Sequence, residues 1–133
     1  MTEIDDVPAP RGQLTLKLVA NRQDTNFHGD IAGGWLVAHM DQAAELTANR
    51  EASGRTATVS IESMDFLCPV RVGSMVNIFT EVCEIGRSSI RIDVEVWCRP
   101  PQERDAQALQ KVTEARFVMV ALDDNGRIRP VRR

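Results

Sequence analysis

Two features inside the stretch HGDIAGGWLVAHMDQAAE, residues 28 to 45, have the means to do chemistry. The first is the pair Gly33-Gly34, at the opening of what the pattern predicts as a helix. Glycines there leave backbone N–H groups uncovered by side chains. A bare helix N-terminus attracts partial negative charge, such as the oxygen of a polarised carbonyl. The second is Asp41, a carboxylate able to serve as a general base. Aspartate is a poor helix-interior residue, because its short side chain competes for backbone groups. Taken alone, the plainer account of Asp41 is a boundary residue paired with an arginine or facing water. Asp41 lies about two turns, roughly 10 to 12 Å, beyond the glycine pair by the helical rise. That is too far to act on a carbonyl held at its own helix start, but a second subunit would bring the two together. The sequence therefore suggests an oxyanion-type donor set and a carboxylate supplied across an interface. Asp30 stands where it can cap the helix.

The elements that must position these groups follow from periodicity. LTLKLVA, residues 14 to 20, alternates as a strand does. A polar, turn-rich loop then leads to a helix over about 33 to 51. On that helix Leu36, Met40, Ala43, Ala44 and Thr47 share one stripe, His39, Gln42 and Asn49 lie opposite, and Asp41 falls at the edge. SGRTATVSIESMDF holds a second strand, with Ala57, Val59 and Ile61 expected on one face. MVNIFTEVCEI and SSIRIDVEVW are two long strands joined as a hairpin at Gly86-Arg87. Ile90, Ile92, Val94 and Val96 alternate with Arg91, Asp93 and Glu95, which predicts one covered face and one wet face. After a polar excursion, KVTEARFVMVAL is a last strand, closed by the turn DDNG. One strand, one long helix and four strands make an α+β fold in which a long antiparallel sheet of about five strands wraps around a single helix, the hotdog architecture. One helix cannot cover such a sheet, so the chain is expected to associate through sheet edges and the exposed face.

Composition sets the frame. The 133 residues predict one domain over 14 to 133 behind a flexible leader over 1 to 13. With 43% hydrophobic and 26% charged residues the chain is ordinary for a globular protein. A net charge of −3 gives no support to a nucleic-acid or anionic-membrane role. No window reaches the roughly 18 apolar residues of a membrane span. The acidic, proline-containing start MTEIDDVPAPRGQ is unlike a signal peptide, so a cytoplasmic location is expected. Cys68, Cys83 and Cys98 form no C-x-x-C and are expected as buried free thiols. With only His28 and His39 beside them, no metal site is expected.

The stretch DTNFHGDIAGGWLVAHMDQA resembles the signature of YciA-type acyl-CoA thioesterases, hotdog-fold members of the acyl-CoA thioester hydrolase group. TVSIESMDFLCPVRVGS, GRSSIRIDVEVW and VALDDNGR are similar to the second strand, the hairpin and the last strand of that family. The resemblance implies hydrolysis of an acyl-CoA to free acid and CoA, with no cofactor beyond the coenzyme A of the substrate. It makes Asp41 the catalytic carboxylate and Asn26 the amide that helps hold water or substrate from the facing subunit. It has the Gly33-Gly34 helix start polarise the thioester carbonyl. Coenzyme A would bind at Gly86, Arg87, Ser88 and Ser89, with Ser63 nearby, and the chains would pair into dimers that build a trimer of dimers. Two positions depart from the family pattern: Ala32 replaces a larger apolar residue, and Cys68 replaces a lysine. Arg127, Arg129, Arg132 and Arg133 form a basic tail that could offset the lost lysine toward CoA phosphates. The main alternative to an enzyme is a non-catalytic acyl-CoA-binding or regulatory hotdog module, which would need the pocket but not Asp41 and Asn26. A hotdog dehydratase would need an active-site histidine, and His39 falls on the polar side of the helix.

Overall fold

The computed structural model describes residues 9–101 and 109–132. The first eight residues of the expected leader, most of the polar excursion and Arg133 lie outside the described residues. The elements are β1 (Gln13–Val19), a 3-10 turn (Arg22–Asp24), α1 (Gly33–Ala52), β2 (Thr56–Phe66), β3 (Met75–Ile85), β4 (Ser89–Arg99) and β5 (Gln110–Ala121). The strands form one antiparallel sheet in the order β1-β3-β4-β5-β2. The sheet packs around α1, which touches all five strands. This is the expected hotdog arrangement of one long helix in a five-stranded sheet.

The helix-facing side of the sheet is the core. Val76 and Ile78 of β3, the expected series Ile90 to Val96 of β4, and Ala115, Phe117, Met119 and Ala121 of β5 are all buried there. They meet Leu36, Met40, Ala43, Ala44, Ala48 and Ala52 of α1. Four of those six are alanines, so the helix lies close to the sheet and large aliphatic side chains from the strands fill the space. Thr47, expected in the stripe, is half-buried and bonds to the Thr80 hydroxyl at 2.7 Å. The helix ends at Ser53, whose left-handed backbone (φ 51°) turns the chain toward β2.

Two β-bulges change the reading of β2. Residues directly opposite in an antiparallel pair share a face. Ala57 pairs with Val120 on the outer face, whereas Ile61 pairs with the buried Phe117 on the inner one. The expectation that Ala57, Val59 and Ile61 share one face therefore fails. The register shift between Thr58 and Ser60 inserts a residue and reverses the alternation. A second shift between Glu62 and Asp65, with Ser63 left-handed at φ 56°, reverses it again. Thr58, Ile61 and Phe66 all come to face the helix side as a result.

The outer face is not uniformly wet. Arg116 pairs with Asp93 at 2.9 Å, and Arg91 with Glu84 at 3.2 Å, as an exposed face allows. Yet Glu95 and Trp97 are buried, at 7% and 4% exposure. The Trp97 indole donates to Glu95 Oε1 at 2.8 Å, and the Arg11 amide adds a second donor at 3.3 Å. A buried carboxylate needs such donors. Strand alternation alone cannot announce them, because one comes from the chain before β1.

The cysteines also divide. Cys98 is buried and Cys68 half-buried, but Cys83 is exposed on the register shift between Val82 and Glu84. Alternation from Val76, Ile78, Thr80 and Val82 already places it on the outer side of the sheet. The expected basic tail is partly folded in. Arg129 is 8% exposed, and its guanidinium donates to the carbonyls of Ala52 (2.7 Å), Pro130 (2.9 Å) and Leu122 (3.0 Å). It satisfies the C-terminal end of α1 and is committed to structure. Arg132 pairs with Glu51 at 3.3 Å, and Arg127 is exposed.

Candidate active site

Asp41 sits midway along α1, half-buried, on the flank that faces edge strand β2. Among the described residues no arginine or lysine pairs with it. Its carboxylate instead accepts a hydrogen bond at Oδ1 from the Thr58 hydroxyl of β2. Alternation from the buried Thr56 aims Thr58 at the helix, opposite Met119, whose thioether packs against its oxygen at 3.3 Å. A carboxylate has about four acceptor positions. Thr58 takes one and fixes the side chain, and among the described residues nothing bonds to Oδ2, which can hold a water or a substrate atom. Neither boundary account of Asp41 describes this arrangement. Thr58 was not legible as a partner, because the bulge beyond it reverses the facing and Ala57, Val59 and Ile61 read as one row.

The start of α1 is uncapped. The N-cap residue is Ala32, which has no side-chain acceptor. Asp30 does not cap the helix as expected. It stands two residues too early, bridges to Arg71, and gives its own N–H to Asn26 at 3.2 Å. The Trp35 amide turns back to the Ala32 carbonyl at 3.1 Å, and the Gly33 and Gly34 amides have no acceptor among the described residues. The two glycines differ in their surroundings. A Cβ on Gly34 would meet nothing within 4 Å, whereas one on Gly33 would lie 3.4 Å from the Phe66 ring.

Asn26 is exposed in the loop before α1. Its side-chain oxygen accepts from the backbone N–H of His28 at 2.9 Å as well as from Asp30. This is an Asx-type turn. It spends the carbonyl on the loop and leaves the amide hydrogens unpartnered among the described residues, in a rigidly held donor. Shaping the loop and presenting a donor are compatible roles for this one side chain.

The residues expected to hold coenzyme A are not gathered with this set in one chain. Gly86 to Ser89 form the β3–β4 hairpin, closed by the Gly86 amide on the Ser89 carbonyl at 2.8 Å. A Cβ on Gly86 would lie 2.8 Å from Ser89 Oγ, so a larger residue there would make the Ser89 hydroxyl turn aside. The Arg87 and Ser88 carbonyls accept from Val131 and Ala121, which ties the hairpin to the end of the sheet where α1 finishes. Asn26, Gly33 and Gly34 lie at the other end. Ser63 lies on the sheet's outer side, beside a cavity of about 340 Å³ shared with Arg11, Asp93 and Arg116.

Other chemistries have little to build on. Burial pushes the Cys98 thiol up to about 12, with nearby Cys68 adding a smaller push, so it stays protonated and inert at neutral pH. His39 packs against Trp35 in a tilted arrangement, with ring centroids 4.5 Å apart and planes at 60°. Among the described residues no group of three His, Cys, Asp or Glu side chains could hold a metal ion, and no helix is long and apolar enough to cross a membrane.

Residues 28–104 match the family model of the Thioesterase superfamily. The acyl-CoA thioester hydrolase YciA of Salmonella typhimurium is 40% identical over 131 residues, covering 98% of this chain and 97% of that one. A hexameric broad specificity acyl-coenzyme A thioesterase superposes with a TM-score of 0.88 at 40% identity, over 96% of this chain and 86% of that one. An aspartate-to-alanine variant of that enzyme has also been crystallised. An acyl-CoA hydrolase of Staphylococcus aureus, solved with butyryl coenzyme A and coenzyme A, superposes at 0.79 with 29% identity, over 86% of this chain and 68% of that one. Asparagine-to-alanine and threonine-to-alanine variants of it have been solved as well. The chain belongs to the Thioesterase superfamily, as a hotdog-fold protein of the YciA type of acyl-CoA thioester hydrolases.

Proposed function

We propose that the protein hydrolyses acyl-CoA thioesters to a free carboxylic acid and coenzyme A. The observation that carries this reading is Asp41, held by the Thr58 hydroxyl on the same flank of α1 that begins with two uncapped glycine amides. The Gly33 and Gly34 amides are suited to receive the thioester carbonyl oxygen and to stabilise it as negative charge develops. Asp41 either draws a proton from the attacking water or attacks the carbonyl carbon itself. The thiolate of coenzyme A departs in both cases, and water completes the acid.

One chain cannot do this alone. At about 1.5 Å per residue, the helix start and Asp41 are roughly 12 Å apart. A working site takes its helix start from one protomer and its carboxylate from another, with Asn26 reaching across. Edge strand β2 offers the means, since it is open on one side and leaves Val59 and Ile61 exposed. We therefore read the protein as a dimer, further built into a trimer of dimers, in keeping with the hexameric solved relatives. The hairpin Gly86–Ser89 and Ser63 would receive coenzyme A across that assembly. The asparagine and threonine replaced in the Staphylococcus aureus hydrolase stand at the same separation as Asn26 and Thr58, which supports giving both a role. The reaction needs no added cofactor, and we expect it in the cytoplasm.

The test is thiol release, followed with a chromogenic disulfide, on acyl-CoAs from acetyl to palmitoyl. Asp41→Asn should lower turnover by about 10²-fold or more with the fold intact, as loss of a positioned base does. An acyl-CoA-binding module would bind these thioesters and release no thiol. Equal release by wild type and Asp41→Asn would remove Asp41 from the mechanism.

A further inference from the structure

Phe66 ends β2 with its ring against the start of α1, where a Cβ on Gly33 would lie 3.4 Å from the ring's Cζ and 3.8 Å from both Cε atoms. The ring therefore lies within ordinary contact distance of the first residue of the helix, while Gly34 beside it stays open. The ring's direction is built into the backbone. Phe66 lies opposite Thr113, a fully buried residue of the helix-facing row, and only the second bulge brings it onto that side. The chain is pinned on both sides of it. The Thr113 hydroxyl donates to the Asp65 carbonyl, and the Leu67 amide to the Val112 carbonyl at 2.7 Å. Even so the side chain remains 50% exposed. A fixed, half-open aromatic wall thus stands beside the two uncapped amides.

A carbonyl oxygen held by the Gly33 and Gly34 amides puts the carbonyl carbon, and the first carbons of the acyl chain, alongside that ring. Straight chains can lie along its edge or leave over Gly34. A branch or ring at the first carbon after the carbonyl would be driven into it. We propose that Phe66 is a specificity-determining residue that selects straight-chain acyl-CoAs against those branched or aromatic next to the carbonyl. This rests on the reading that the thioester carbonyl sits at the start of α1.

The test compares kcat/KM for butyryl-CoA, isobutyryl-CoA and benzoyl-CoA in the assembled protein. Phe66→Ala should raise the isobutyryl-to-butyryl and benzoyl-to-butyryl ratios by about tenfold, the scale on which hydrophobic pockets discriminate. Phe66→Leu, which keeps an apolar side chain and guards against a folding defect, should shift both ratios less but in the same direction. Leu67→Ala alters the next residue, exposed and beyond the end of β2, and should leave both ratios as in wild type. Ratios unchanged in Phe66→Ala would overturn the inference, as would an equal shift in Leu67→Ala. A uniform fall across substrates with an altered particle mass by light scattering would also overturn it, since Phe66 would then be an assembly contact. The two readings can fail separately. Wild type inactive on every thioester would remove the hydrolase and this inference together. Wild type active, Asp41→Asn inactive and Phe66→Ala unchanged in its ratios would remove this inference alone.

Discussion

Replacing Thr58 by valine keeps the branched shape that faces α1 and removes one hydroxyl hydrogen. In the folded protein that hydrogen is given to Asp41, and the thioether of Met119 against the same oxygen can accept an apolar methyl without loss. Hydrogen bonds to charged groups contribute about 1.5–3 kcal/mol. If that contribution is what keeps Asp41 aimed at its substrate, its loss converts to a fall in kcat of about ten- to hundredfold at 1.36 kcal/mol per factor of ten. KM should change little, because Thr58 is not expected to touch coenzyme A. Thr58→Ser, which retains the donor, should stay within a few fold of wild type. The double variant Thr58→Val with Asp41→Asn should be no slower than Asp41→Asn alone, because residues acting as a unit are non-additive. Steady-state thiol release on the four variants beside wild type, with thermal melts to show equal folding, makes the comparison. A Thr58→Val enzyme with wild-type kcat would refute the positioning role, and fully additive losses would mean that Thr58 acts independently of Asp41.

Three further outcomes follow from the geometry. Mixing Asp41→Asn and Asn26→Ala proteins under subunit exchange should restore about a quarter of wild-type activity, since half of randomly re-paired dimers are mixed and each mixed dimer holds one intact site of two; no recovery despite exchange verified by mass would count against a shared site. Arg129→Ala should lower stability by about 2–4 kcal/mol, and Tm by roughly 10 °C, because several buried carbonyls lose a charged donor; a thermal melt within 2 °C or so of wild type would contradict its structural role. Burial raises the Cys98 thiol from 9.0 to about 12, so the unfolded chain ionises it first; stability that is complete below about pH 9 is then lost as pH climbs toward 12. Urea unfolding at pH 8 to 11 should therefore show a shallower decline in Cys98→Ala than in wild type, by up to about 1.4 kcal/mol per pH unit, and equal slopes would count against the buried neutral thiol.

The sheet, the central helix and the β3–β4 hairpin were legible because each rests on an uninterrupted period. Ile90, Ile92, Val94 and Val96 keep strict alternation, and the structure buries all four. β2 was legible as a strand but not in its facing, since a bulge leaves composition unchanged while reversing every side chain beyond it. Thr58 and Phe66 were therefore hidden as neighbours of Asp41 and Gly33. Asp41 and the glycine pair stood out as oddities against local helix chemistry, and a local oddity needs no tertiary information. Glu95 and Arg129 read as ordinary surface charges. Their burial depends on contacts from 84 and 77 residues away, which no local pattern records. Asp30 failed as a cap for a smaller reason, a helix boundary two residues later than its side chain could serve.

The bond from Arg129 to Ala52 also bears on the order in which the molecule is completed during synthesis. Arg129 is made 77 residues after the helix end that it holds. β2 pairs with β5 alone, so it has no neighbour until residues 110 to 121 have been made. A nascent chain that has finished β4 holds the hairpin and the whole of α1, yet nothing fixes Thr58 in front of Asp41. β1, β3 and β4 can pair among themselves as they emerge, whereas the carboxylate's surroundings wait for the C-terminal part of the described chain. Ribosomal pausing after β4 would therefore expose the apolar flank of α1 and the unpaired β2 together, and that is the interval in which a chaperone would have most to protect.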